Sequence, residues 1–137
     1  MAGDEASLLK DHGINPSAQR VAVAQYVLHT GDHPSADEVW TRVRGRFPHL
    51  SRATVYNTLN LFVEKGLLRQ FALTEGRVVF DPKTEDHHHF IDEETGKIHD
   101  VAWEAVKVSN VSKLSGFDVR EYQVVMRGKR TRKKRRS

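Results

Sequence analysis

Residues 81–100 read DPKTEDHHHFIDEETGKIHD, with three consecutive histidines set among aspartates. Imidazole nitrogens combined with carboxylate oxygens suit Zn, Fe, Mn or Ni better than a soft thiolate site would. Along a β-strand successive side chains point to opposite faces. His87 and His89 would therefore share one face, and Asp86 and His88 the other. Two imidazoles two residues apart on a strand can converge on one ion. A solvated histidine run is the competing reading of the same letters, and only the rest of the chain separates the two.

Composition narrows the classes. The 137 residues suffice for one compact domain or two small ones. There is no cysteine, which excludes disulfides and thiolate zinc sites and makes a cytoplasmic protein the default. No run of about 18 apolar residues is present, and the N-terminus lacks a basic-then-apolar signal pattern, so no membrane association is expected. The charge is uneven. Residues 128–137, GKRTRKKRRS, carry seven of the 22 Lys and Arg and no acid, so the rest of the chain is net −3. Residues 1–80 are net +1 and residues 81–127 net −4, and the acidic, histidine-containing half fits a cation better than a phosphate. The basic tail is either an electrostatic handle for nucleic acid or a disordered, solubilising end.

The elements that must position these groups follow from spacing. Residues 5–12 form a short helix candidate ended by Gly13, and a second helix, with Asn15 or Ser17 available as its N-cap and Pro16 tolerated in the first turn, runs to about His29. Ser35-Ala36-Asp37-Glu38 matches a capping box and opens a third helix, with Val39, Trp40, Val43 and Phe47 as its apolar stripe, stopping before Pro48. Asp37 and Glu38 read as capping acids, and Trp40 and Phe62 as core. Ser51 caps a fourth helix that Gly66 closes, and Val55, Leu59, Phe62 and Val63 form its buried face. Two β-like runs, 67–73 and 77–81, then make a hairpin. Two helices at a short turn followed by a hairpin describe a winged helix-turn-helix. Beyond a linker at 82–86, strands are expected at 87–92 and 97–101, a helix over 102–115 and a strand over 117–126. The fold class is α+β: a DNA-binding winged domain at 1–81, a hinge at 82–86, a small α/β dimerisation and metal-sensing domain at 87–127, and a disordered basic tail at 128–137.

HPSADEVW (33–40), FPHLSRATVYNTLNLFVEKGLL (47–68), VVFD (78–81), HHHF and GKIHDV (96–101) together resemble the ferric uptake regulator (Fur) superfamily over residues 7–127. The resemblance implies a homodimeric, metal-dependent transcription regulator, usually a repressor, that binds a palindromic operator in double-stranded DNA and is not an enzyme. It places the regulatory metal at His33, Asp81, His87, His89 and Asp100, with Fe²⁺ or Mn²⁺ as the ion and Zn²⁺ as a competitor in purified protein. Asp100, where iron sensors of the family tend to carry glutamate, makes the chain similar to the peroxide-sensing PerR type. There Fe²⁺ reacts with hydrogen peroxide, a ligating histidine (His33 or His87) is oxidised, and metal and DNA are released. Mn²⁺ would support repression without peroxide sensitivity. The alternative signal is iron or heme, as in Fur- and Irr-like members.

One departure is large. Most members hold a structural zinc with two Cys-x-x-Cys pairs. Here Asp92 and Thr95 occupy the first pair's positions and the basic tail replaces the second, so no cysteine-ligated zinc can form. Dimer stability must then come from apolar packing, through Trp103, Val106, Leu114 and the 117–126 strand. A second metal site like that of some relatives would use Asp86 or His88 with Glu104 or Glu121. On the fourth helix Tyr56 is positioned to pack on a thymine methyl, with Asn57 beside it and Ser51, Arg52 and Thr54 in the first turn. Arg20 is placed to anchor a phosphate. His12, His29, His49 and His99 read as surface or boundary residues. A small His/Asp metalloenzyme is disfavoured because no HExxH occurs and a recognition helix would be idle in it.

Overall fold

The computed structural model describes residues 2–74 and 76–132 and divides into two units, Met1–Thr84 and Glu85–Ser137. The first unit contains α1 (Ala2–Asp11), α2 (Ala18–Val27), α3 (Ala36–Val43), α4 (Arg52–Glu64) and the hairpin strands β1 (Arg69–Thr74) and β2 (Arg77–Asp81). Three serines start three of the helices. Ser17, Ser35 and Ser51 sit in extended backbone, and their hydroxyls accept from the amides of Arg20, Glu38 and Thr54. At α3 the box is complete, because the Ser35 amide donates to Glu38 Oε1 at 2.8 Å. Gly66, at φ +85°, ends α4 in the left-handed region a side chain would resist.

Each helix contributes a stripe to one core. Leu9, Val23, Val27, Val39, Val55, Leu59 and Phe62 are all essentially inaccessible, and Phe80 joins them from β2. Trp40 packs only partly into it, with its indole N–H donating to the Leu50 carbonyl at 2.8 Å. α3 and α4 with the antiparallel β1–β2 wing make a winged helix-turn-helix. Two helices end earlier than periodicity predicts: α2 at Val27 and α3 at Val43. Beyond Val43 the chain Arg44-Gly45-Arg46 turns, since glycine costs about 1 kcal/mol in a helix interior.

The second unit is a three-stranded sheet of β3 (His87–Asp92), β4 (Ile98–Ala102) and β5 (Val125–Gly128) in the order β4-β3-β5. β3 pairs antiparallel with β4 and parallel with β5. The helix expected over 102–115 is not formed. Two short 3₁₀ turns, Trp103–Ala105 and Val111–Lys113, stand in its place, with Asn110 at φ +69° between them. Val106, Val108 and Val111 are β-branched, and Ser109, Asn110 and Ser112 compete for backbone hydrogen bonds, so local propensity overrides the apolar spacing. The last strand begins only at Val125 and runs to Gly128, the first residue of the expected tail. Residues 133–137 of that tail lie outside the described residues. Among the described residues no helix is long and apolar enough to cross a membrane.

Candidate metal centre and nucleic-acid interface

Within the first unit the turn ahead of α3 is tied to the wing. The Phe80 amide donates to the Pro34 carbonyl at 2.9 Å. This places His33 beside Asp81, with Nε2 to Oδ2 at 3.1 Å and both side chains about 95 % buried. His33 has φ +53°, a left-handed conformation uncommon outside glycine, held here by the turn and the following proline. The other oxygen of Asp81 accepts from the Lys83 amide at 2.9 Å.

In the second unit the β3–β4 register sets His89 opposite Asp100 and His87 opposite Ala102. His87 Nε2 and His89 Nε2 lie 3.4 and 3.7 Å from the same oxygen, Asp100 Oδ1, and the imidazole rings stand 4.6 Å apart. Their other nitrogens are committed. His87 Nδ1 donates to the Glu85 carbonyl at 2.7 Å and His89 Nδ1 to Gln123 Oε1 at 2.6 Å. With both Nδ1 atoms carrying hydrogen, neutral rings turn two Nε2 lone pairs toward a carboxylate oxygen. Two buried ring nitrogens converging with an oxygen of the partly exposed Asp100 need a cation between them or protons on the rings. A carbonyl holding the far N–H is also how metal-binding histidines are commonly oriented. The donor set fits Fe²⁺, Mn²⁺ or Zn²⁺.

His88 is used differently. Its Nδ1 accepts from the Val124 amide at 2.9 Å, and its ring stacks on Trp103 at 4.5 Å, the two planes nearly parallel. A ring accepting at Nδ1 carries its proton at Nε2 and offers an ion no lone pair in that state. Glu104 is exposed in the first 3₁₀ turn, and Glu121 is ion-paired with Arg120 at 3.2 Å. His29, a surface residue by its sequence context, has a role the sequence does not suggest: its Nε2 meets the buried Glu5 carboxylate at 2.7 Å. That bond holds Glu5 below the usual carboxylate range.

The exposed side of α4 carries the remaining candidates. Tyr56 is 46 % exposed and lies in a cleft with Asn60, Arg77 and Val78. Asn57 and Thr54 lie in another cleft together with Arg20 from α2. Ser51 and Thr54 are engaged in the cap, where the Ser51 hydroxyl donates to Thr54 Oγ1 at 2.9 Å. Arg52 pairs with Asp37 at 3.3 Å and stacks on Trp40 at 4.0 Å. Arg20 Nη1 donates to the Asn15 carbonyl at 3.1 Å.

Residues 11–127 match the sequence model of the Ferric uptake regulator family. The chain belongs to that family. It is 34 % identical over 122 residues to the Peroxide operon regulator of Bacillus subtilis, covering 88 % of this chain and 84 % of that protein. Among solved structures it is similar to the Vibrio cholerae ferric uptake regulator, with a TM-score of 0.70 and 22 % identity over 90 % of this chain and 98 % of that one. The Campylobacter jejuni peroxide stress regulator superposes with a TM-score of 0.65 and 27 % identity, over 93 % and 96 % of the two chains. Members of the ferric uptake regulator family are transcription regulators rather than enzymes, and the chain is a metal-responsive regulator of that family.

The turn at 92–95, which holds no cysteine, is built on an aspartate. Asp92 Oδ1 accepts from the amides of Glu94 at 2.9 Å and Thr95 at 3.4 Å, while its backbone bonds Lys97 and Gly96. Burial raises the Asp92 carboxyl, but the Glu94 amide and the Thr95 hydroxyl and amide outweigh it and leave the group below its ordinary value. Two groups that orient the histidines escape a reading of the sequence: Gln123 and the Glu85 carbonyl. A glutamine 34 residues from its partner leaves no local signal, and a carbonyl leaves none at all.

Proposed function

We propose that the chain is a dimeric, metal-dependent DNA-binding repressor that releases its operator in response to hydrogen peroxide. The observation that carries the reading is the convergence of two oriented imidazoles, His87 and His89, on Asp100, in a chain whose relatives include named peroxide regulators. His33 and Asp81 complete the ligand set in this reading. They belong to the DNA-binding unit and the other three ligands to the sheet unit, so one ion held by all five restricts the angle between units. Metal affinity and DNA affinity are then linked. In a homodimer that angle sets the spacing of two α4 helices on a palindromic operator.

Bound Fe²⁺ would activate hydrogen peroxide next to the ligating imidazoles, so that one peroxide oxygen adds to a ring, which gives up the two electrons, and the other leaves as water. The chain's own part is to hold His87 and His89 with Nε2 inward and to keep the ion's surroundings buried. His33 or His87 is the ring expected to gain one oxygen atom, after which the oxidised ring ligates poorly and DNA is released. Mn²⁺ in the same ligands would support repression without that loss.

The test is a gel shift on a palindromic AT-rich duplex with Mn²⁺, with Fe²⁺, and with Fe²⁺ followed by dilute peroxide. Mass spectrometry of the peptides containing His33 and His87 accompanies it. DNA release together with one added oxygen, in the iron sample alone, is the expected result. Iron-loaded protein that keeps both its mass and its DNA after peroxide would refute peroxide sensing. Hemin that gives a Soret band and releases DNA would replace the signal by heme.

A further inference from the structure

The last turn of α3 and the loop after it carry charge that the reading above leaves unused. Arg42, Arg44 and Arg46 occupy every second position and all three are exposed. Each guanidinium lies over an aromatic ring of its own unit: Arg42 over Tyr26 at 5.0 Å, Arg44 over Trp40 at 4.4 Å and Arg46 over Phe47 at 5.9 Å. Arg46 also donates to Gln25 Oε1 at 2.9 Å. None of the three has a carboxylate partner among the described residues. The acids on the same helix are spent elsewhere, Asp37 on Arg52 at 3.3 Å and Glu38 on Arg77 at 3.4 Å.

The helix dipole accounts for part of this, because cations near a C-terminus offset it. It does not account for Arg46, which lies beyond the helix, or for three cations with no acid among them. A guanidinium stacked on a ring keeps its edge donors free, and that planar fork matches a phosphate in two parallel hydrogen bonds. Stacking also limits the rotamer freedom such a contact would have to remove. Arg42 and Arg46 line one cleft of about 320 Å³ between α2 and α3, together with Gln25 and Tyr26. The cluster is continuous with the start of α4, since Arg44 and Arg52 both stack on Trp40, at 4.4 and 4.0 Å.

That continuity favours duplex DNA as the occupant over an acidic protein. We infer that Arg42, Arg44 and Arg46 form a phosphate-docking surface for duplex DNA, adjoining the base-reading face of α4 and separate from it. The inference rests on the DNA-binding reading above. It predicts affinity without sequence preference, because phosphate contacts position a protein and carry no base information.

Full-length, Mn²⁺-loaded protein is titrated by fluorescence anisotropy against a palindromic AT-rich duplex and a random-sequence duplex of equal length, over a KCl series. In the triple variant Arg42→Gln/Arg44→Gln/Arg46→Gln, affinity for both duplexes should fall by the same factor. The plot of log K against log [KCl] should become shallower by roughly 0.9 for each phosphate no longer neutralised. The triple Lys variant should recover the slope but only part of the affinity, because a point charge lacks the fork. If the triple Gln variant does not fold, Arg46→Gln alone, outside the helix, should lower the slope by about 1 per protomer. A slope unchanged from wild type overturns the inference while leaving DNA binding intact, and the cluster would then be open to an acidic protein. Weaker affinity at unchanged slope also overturns it, since the arginines would then only position α4 through Trp40. Wild-type protein that binds neither duplex removes the DNA-binding reading and this one with it.

Discussion

Asp100 faces two histidines whose orientation is decided elsewhere in the sheet unit. His89 keeps Nε2 toward Asp100 because Gln123 holds its Nδ1 at 2.6 Å. Gln123→Leu should therefore lower Mn²⁺ affinity by about 10–100-fold, the usual effect of removing such a partner. A competition titration against a chelating dye measures it, and an unchanged affinity would show that Gln123 does not orient the ligand. Asp92 makes a prediction in pH. Its folded carboxyl sits below its ordinary value of 3.8, so the ionised form is the stabilising one. The contribution is complete above that ordinary value and is lost as pH falls through the depressed folded one. Asp92→Asn should flatten the acid limb of stability, read from thermal midpoints as pH falls below about 4. A limb as steep as in wild type would assign acid sensitivity to other carboxylates. Strand alternation alone separates His88 from His87 and His89, and the structure gives it different partners. It could not reveal that a distant glutamine and a carbonyl aim those two rings.

At the scale of elements, the capping box of α3 matters to the site because its cap, Ser35, lies two residues after His33. Ser35→Ala should cost about 1 kcal/mol, measured by urea denaturation, with the unfolding slope unchanged. A loss near zero would mean that the Phe80–Pro34 hydrogen bond already holds the turn. Phe62, fully buried, should cost about 3–5 kcal/mol on truncation to alanine. Helix starts were legible because a serine cap is local chemistry, readable from a few residues. The segment after β4 was not, because valines at helical spacing are also good extended residues. Its flanking serines and asparagine tip the balance in a way that apolar periodicity does not register.

At the scale of the molecule, charge is divided by region, with a basic tail joined to a body of net −3. Deleting residues 129–137 removes seven positive charges. It should weaken binding to random-sequence DNA and reduce its salt slope by up to roughly 0.9 per phosphate that the tail neutralises, leaving the preference for a palindrome in place. An unchanged slope would make the tail a bystander. The sequence by itself determined the order of the elements as far as β4, the winged helix-turn-helix, the absence of a thiolate zinc site and the face shared by His87 and His89. Each of these follows from residue type and spacing within one element. Tertiary structure alone decided which groups meet across elements: Phe80 holding the turn that carries His33, Gln123 aiming His89, Val124 occupying His88, and Tyr26 of α2 lying beneath Arg42. Such pairings depend on how segments far apart in the chain pack together, and local spacing carries no record of that.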